Sequence, residues 1–303
     1  MSTAVMTTTQ PLNRRRWLPA STKIWGLTLI TMVALCLLSL PYTIANYNGQ
    51  DLDQTLHAPS LASPWLWMGT DQLGRSLLVR VLLGGAVSLG IGLFAAAISV
   101  VIGTAWGMVA GYSGGKIDQT MMRIVDVLYG LPYILLVVLL SVAFAPFMER
   151  VAGAQLGNLI TLLIAIGAVS WLTLARVVRG QVLSLKSQPY VEAAHASGCS
   201  PRRIVLTHIL PNLIGPIIVY TTLTVPQAIL QESFLSFLGI GVSPPMPSWG
   251  NLAAEGLGEL NPIASRIWLL AWPCGMLAVT LLALNFVGEG LRDRFDPHAH
   301  RKR

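Results

Sequence analysis

Few residues in this 303-residue chain have the type and spacing for covalent or metal chemistry. Gly111-Tyr112-Ser113-Gly114 spells the G-x-S-G of a serine nucleophile, which needs a base within hydrogen-bond reach. The five histidines, His57, His195, His208, His298 and His300, all stand outside the long apolar runs, so a glycine-rich turn is the ordinary reading. Cys36, Cys199 and Cys274 lie far apart and form no C-x-x-C, which indicates neither a disulfide framework nor a zinc site. His298-Ala299-His300 beside Arg301 to Arg303 reads as a solvated basic tail, so no metal ligands are assigned. Gly115-Lys116 is the nearest approach to a phosphate loop. Ala110, however, occupies the place of the first glycine, and Ile117 that of the Ser or Thr that holds magnesium. The chain therefore has no ATP site of its own, and no catalytic residue emerges.

The informative residues instead have the pattern of a contact surface. Between Ser187 and Ile204, Pro189 is placed to start a helix and Gly198 to end it at C′. Ser200-Pro201 then supplies an N-cap and N1 proline for a second helix, which is expected to run to Pro211. On the first helix Ala193, Ala194 and Ala196 leave a nearly bare surface, and Glu192 sits near the N-terminus, where the macrodipole favours an acid. Such a helix can dock into a groove on another protein. The alternative is that Glu192 only stabilises the helix from its surface.

The elements that position this loop follow from composition. Hydrophobic residues make up 53% of the chain and charged residues 11%, with mean hydropathy +0.63. A soluble domain carries about 25% charged residues, so lipid must be part of the solvent. Six stretches without Asp, Glu, Lys and Arg each contain an apolar segment long enough to cross a bilayer: 24 to 50, 81 to 115, 127 to 148, 151 to 175, 204 to 231 and 267 to 288. Backbone groups in lipid must be satisfied internally, so these are helices. With six crossings the termini share a side. If that side is cytoplasmic, Arg14, Arg15, Arg16, Lys23, Lys116, Arg123, Arg176, Arg179, Lys186, Arg202, Arg203, Arg292, Arg294, Arg301, Lys302 and Arg303 are inside, and only Arg75, Arg80, Arg150 and Arg266 are outside. The net charge of +7 is thus mainly an orientation signal, which argues against nucleic acid as a partner. Gly103, Gly107 and Gly111 form a smooth ridge where another helix can approach closely.

Two outside segments remain. Residues from about 45 to 80 hold Trp65 and Trp67, suited to a membrane interface, and then Gly69-Thr70-Asp71-Gln72-Leu73-Gly74-Arg75. Residues from about 239 to 262 are rich in Gly and Pro. Either segment could meet an external partner or simply cap the bundle.

The loop resembles the "EAA" signature of ABC-importer membrane subunits: Glu192-Ala193-Ala194, Gly198, then Leu210-Pro211. His208-Ile209-Leu210-Pro211-Asn212 is similar to the peptide and nickel branch. Gly69-Thr70-Asp71 with Gly74-Arg75, Gly111-Tyr112 with Gly114-Gly115, and Ser233 to Gly239 resemble the second permease of dipeptide and oligopeptide importers. Ala175-Arg176-Val177-Val178-Arg179-Gly180-Gln181 and Gly290-Leu291-Arg292-Asp293 are similar to the oligopeptide C-type subunit. Ser76 departs from that family, which usually has Asp there.

The resemblance implies an all-α, six-span type I importer bundle in the bacterial plasma (inner) membrane with both termini cytoplasmic. Its expected parts are a cytoplasmic segment 1–23, a first span with external segment 24–80, a transmembrane domain 81–290 containing the coupling loop 186–212, and a basic tail 291–303. It also implies a second homologous permease, two cytoplasmic ATP-binding subunits that hold the ATP and magnesium, and an external solute-binding protein delivering peptide, with nickel or glutathione as alternative cargo. Glu192, Ala193, Ala194, Gly198, Arg202 and Arg203 are then expected to couple ATP hydrolysis to transport, and Gly69, Thr70, Asp71, Gly74 and Arg75 form an external motif. Glu232, flanked by Gln231 and Ser233, is the acid placed to lie within or at the outer edge of a span. It either lines the pathway or contacts the partner permease, or else it sits wetted at the outer interface. The rival from another class is a six-span intramembrane serine protease acting through Ser113.

Overall fold

The computed structural model describes residues 20–260 and 265–295. Arg14 to Arg16, the end of the second outside segment at residues 261 and 262, and tail residues His298, His300 and Arg301 to Arg303 lie outside the described residues. Among the described residues the secondary structure is helical apart from one isolated antiparallel bridge between Thr70 and Ser76. Six helical stretches are long and apolar enough to cross a membrane: Ala20–Leu38, Leu77–Ser113, Tyr133–Ala152, Ala154–Lys186, Pro201–Phe237 and Trp268–Arg294.

Their number matches the six apolar runs, but their boundaries move for identifiable reasons. Helix α1 (Ala20–Leu38) stops short of residue 50, and α2 (Leu40–Asn46) follows after a step at Ser39, because Pro41 has no N–H to continue the ladder. Helix α3 (Leu77–Ser113) begins before residue 81, so Arg80 is inside it and does not merely flank it. Gly114 and Gly115, at φ +66° and +55°, turn the chain into α4 (Gly115–Tyr129). Pro132 then starts α5 (Tyr133–Ala152), so residues 127–132 are not in the third span. Helix α6 (Ala154–Lys186) runs well past residue 175 and carries Arg176 and Arg179.

The loop that follows contains α7 (Pro189–Ala196) and α8 (Pro201–Ile204), then a π turn over Val205–Ile209 that leads into α9 (Leu210–Phe237). The second helix of the loop therefore does not end at Pro211 but continues through it. In a regular α-turn the proline ring would press on the Thr207 carbonyl and leave it without a donor; the wider π turn relieves both. Helices α10 (Trp249–Gly258) and α11 (Trp268–Phe295) complete the chain.

The glycine ridge of α3 is filled by α6. Gly103 meets Trp171 and Leu174, Gly107 meets Ala175 and Val178, and Gly111 meets Val182. This parallel pair is the spine of the bundle. At its lower end Lys186 Nζ donates to the Tyr112 carbonyl at 2.7 Å. Helix α1 leans on α11, where Gly290 abuts Thr22 and Trp25 stacks on Phe286 at 5.3 Å. These contacts gather residues 20–26, 111–129, 176–209 and 287–294 at one end, the basic end. Residues 47–76 and 239–260 gather at the opposite end.

Candidate functional site

At the basic end, α7 is closed by local hydrogen bonds that its sequence dictates. Gln188 is extended and Pro189 opens the helix. At the other terminus the Gly198 N–H donates to the His195 carbonyl and the Cys199 N–H to the Ala194 carbonyl, with Gly198 at φ +78°. This is a Schellman closure, which favours glycine at C′. One side of α7 is anchored: Val191 is buried among Leu174, Val178, Val182, Ile204, Ile209 and Leu213, and Ala194 packs against the same cluster. The other side is bare. Glu192, Ala193, His195 and Ala196 are exposed, as are Arg202 and Arg203 on α8, and no atom lies within 4 Å of where a Gly198 Cβ would stand.

Neighbouring ion pairs stiffen this end. Arg179 donates from Nε and Nη2 to Asp118 Oδ1 and Oδ2 at 2.5 and 2.6 Å, a two-pronged pairing of α6 with α4. The Arg179 hydrogen bonds hold the Asp118 carboxyl below its ordinary value of 3.8. Arg176 donates to Asp126 at 2.8 Å and lies 4.1 Å above the Tyr129 ring. Ser113, the residue of the G-x-S-G sequence, is simply the last residue of α3, before the turn at Gly114.

Between α4, α5, α6 and α9 an open cavity of about 590 Å³ runs along the bundle, with Tyr133, Ser170, Thr173, Thr224, Gln227 and Gln231 as polar points on a leucine-rich wall. Tyr133 Oη donates to Gln231 Oε1 and stands 3.4 Å from Ser170 Oγ. The structure thus separates three residues grouped in the sequence. Gln231 opens onto the cavity, whereas Glu232 and Ser233 are buried, and Glu232 has no exposed surface in this chain. Glu232 is neither wetted at an interface nor part of the cavity wall, because one helical step turns it away from Gln231 and into the protein. Tyr133 and Gln227 were not singled out from the sequence. The available signal was two glutamines four residues apart in an apolar span, which places both on one face.

At the opposite end, the 69–75 motif forms a buried electrostatic knot. Asp71 accepts the N–H groups of Leu73 and Arg75 at 2.9 Å each, Arg75 Nε at 2.7 Å and Arg80 Nη1 at 2.6 Å. Arg80, 1% exposed, also grips Glu255 of α10 through Nη1 and Nη2 at 2.6 and 2.9 Å. Gly74, at φ +69°, presses against the chain at Asp51: a Cβ there would stand 1.7 Å from the Asp51 carbonyl oxygen. Gly69, at φ +83°, leaves room for Trp268, and Thr70 Oγ1 donates to the Gln54 carbonyl. Ser76 Oγ donates to the Trp65 carbonyl at 2.7 Å, which ties the 60s loop to the start of α3.

The sequence pattern of the family described as "Binding-protein-dependent transport system inner membrane component" matches residues 103–301. The chain is 41% identical over 285 residues to the oligopeptide transport system permease protein OppC of Haemophilus influenzae, covering 94% of this chain and 87% of that one. It is 45% identical over 235 residues to the dipeptide transport system permease protein DppC of Bacillus subtilis, covering 78% and 69%. In fold it is similar to a chain of the MetNI methionine ABC transporter solved in inward-facing conformations, with TM-score 0.57 and 17% identity, covering 73% of this chain and 98% of that one.

Proposed function

Because this chain belongs to the family of binding-protein-dependent transport system inner membrane components, we propose that it forms half of a peptide pathway and receives the ATPase stroke through α7. It is a membrane-spanning permease subunit of an ATP-driven importer, not an enzyme, and a multi-pass protein of the bacterial inner membrane. A permease of this kind works in general with ATPase subunits, an external binding protein and a second permease.

The observation that carries the proposal is the two-sided character of α7. Val191 fixes it to α6 and α9, while Glu192, Ala193, His195 and Ala196 present a small-residue face to the basic end. Two cytoplasmic ATPases, which hold the ATP and magnesium, seat α7 and its equivalent on a homologous second permease in their grooves. Closure of the ATPases moves these rigid helices and tilts the attached spans. The concentration of Lys and Arg at this end supports a cytoplasmic α7 and cytoplasmic termini. The cavity beside Tyr133 and Gln231 is this subunit's share of the pathway, and its paired hydroxyl and amide groups suit the N–H and C=O groups of a peptide backbone.

The test is uptake of labelled di-, tri- and longer peptides by the reassembled importer, against nickel and glutathione as competing cargo. Ala193→Trp should abolish peptide uptake without altering membrane insertion, because the added ring projects from the exposed face. Normal uptake by that variant would sink the reading of α7, and uptake of nickel alone would sink peptide as cargo.

A further inference from the structure

Three serine hydroxyls at the end opposite α7 hold backbone N–H groups of the outer segment beside one buried acid. Ser236 Oγ accepts the Val242 N–H at 3.0 Å, Ser88 Oγ the Trp249 N–H at 3.3 Å, and Ser248 Oγ the Asn251 N–H at 3.3 Å. With its oxygen occupied in this way, each hydroxyl still has one proton to give. Ser236 gives it to Glu232 Oε1 at 2.7 Å, and Ser88 and Ser248 stand beside the same carboxyl group. Ser233 adds a further contact to Oε2 at 3.3 Å, without a relayed backbone N–H among the described hydrogen bonds. Glu232 is thus the acceptor at the end of a one-step relay that begins on the Val242 N–H, and the hydroxyls that hold the Trp249 and Asn251 N–H groups lie against the same carboxyl group. The same segment lies directly on α9: a Cβ on Gly250 would stand 2.1 Å from the Ser233 carbonyl oxygen, and one on Gly241 2.2 Å from Ser236 Oγ.

The far end of this helix is the α7 loop. From Pro201 through the π turn to Phe237 the chain is continuously helical. At 1.5 Å per residue that is roughly 55 Å of helix. One turn near its upper end carries both Gln231, on the cavity, and Glu232, on the relay.

We propose that Glu232 is the positioning residue that makes the outer segment 239–258 move as one body with α9, so that displacement of α7 at one face reaches the mouth of the pathway at the other. This rests on the reading of α7 as the ATPase contact.

Glu232→Gln keeps the size of the side chain but replaces one acceptor oxygen with an NH2 group that cannot accept a hydroxyl proton. In the assembled importer, hydrogen exchange at the Val242, Trp249 and Asn251 amides should accelerate by roughly tenfold or more, the scale of one lost buried hydrogen bond. Exchange along Gly103–Gly111 should stay unchanged. Peptide uptake should fall by about tenfold while ATP hydrolysis by the complex continues uncoupled from it. Unchanged exchange at the three amides would overturn the relay, and faster exchange with wild-type uptake would overturn the transmission. If Glu232→Gln fails to assemble, Ser236→Ala removes the relay and Ser88→Ala removes the acceptor of the Trp249 N–H, both leaving the carboxyl group in place. Both should reproduce the effect, and Ser233→Ala should not. Normal uptake by Ala193→Trp alongside uncoupling by Ser236→Ala would discard the α7 contact but retain the joint at Glu232.

Discussion

Replacing Gly107 with alanine should destabilise the protein more than its single methyl group suggests. A Cβ at Gly107 would stand 2.6 Å from the Ala175 carbonyl oxygen, 2.7 Å from Val178 Cβ and 2.9 Å from the Arg179 nitrogen. Carbon contacts settle at about 3.5–4.0 Å, so α6 must withdraw by about 1 Å. Two of the three atoms are backbone and no side chain can swing aside. Gly103 and Gly111 lock the same seam on either side, with Cβ positions 2.9 Å from Leu174 Cβ and 2.8 Å from Val182 Cβ. Overpacking of this kind costs about 1–3 kcal/mol, and helix packing in lipid depends on close backbone approach. Alanine recovers about 1 kcal/mol of helix propensity, so the net loss is up to about 2 kcal/mol. Gly180, on the same α6, is the control: no atom lies within 4 Å of its Cβ position, so Gly180→Ala should be neutral or slightly stabilising. Unfolding in a denaturing-detergent titration can be followed through Trp106 and Trp171, whose rings lie 5.0 Å apart across the α3–α6 seam. Equal midpoints for the two variants would refute the reasoning, because only the steric terms distinguish them.

Two further outcomes follow from the ion pairs. Arg80→Met leaves Asp71 and Glu255 without their shared cation and should cost about 3–5 kcal/mol, read as loss of thermal stability and of accumulated protein; wild-type stability would show that the knot is dispensable. The Asp118 carboxyl is held below its ordinary 3.8, so its pairing with Arg179 contributes stability above that value and loses it as pH falls through the depressed folded value. Asp118→Asn should therefore flatten the decline in stability on acidification below about pH 4 while leaving a constant deficit at neutral pH. An unaltered acid profile would mean that the pair does not contribute.

Six spans, a lipid environment and the α7 loop were legible in the sequence because each depends on local signals. Twenty apolar residues in a row have few other solutions, and Pro189, Gly198 and Ser200-Pro201 close their own turns with neighbours only a few residues away. The glycine ridge was legible too, since spacing by four puts Gly103, Gly107 and Gly111 on one face, but only the fold supplied α6 as its occupant. The fate of single polar residues was not legible. Arg80 and Glu232 look alike in sequence, each a lone charge beside an apolar run. One is the centre of an ion knot with Asp71 and Glu255, and the other receives hydroxyls from Ser233 and Ser236. Glu255 stands 175 residues from Arg80 along the chain, and the segment that folds back onto Ser233 and Ser236 at Gly250 and Gly241 belongs to the outer end. A polar group in an apolar bundle is tolerated only where its hydrogen bonds are met, and three-dimensional packing alone decides where that is. The sequence by itself determined that the chain crosses the membrane and carries a bare, capped helix at its basic end. The tertiary structure decided that Gln231 faces the cavity while Glu232, one residue on, holds the outer segment to the helix rising from that loop.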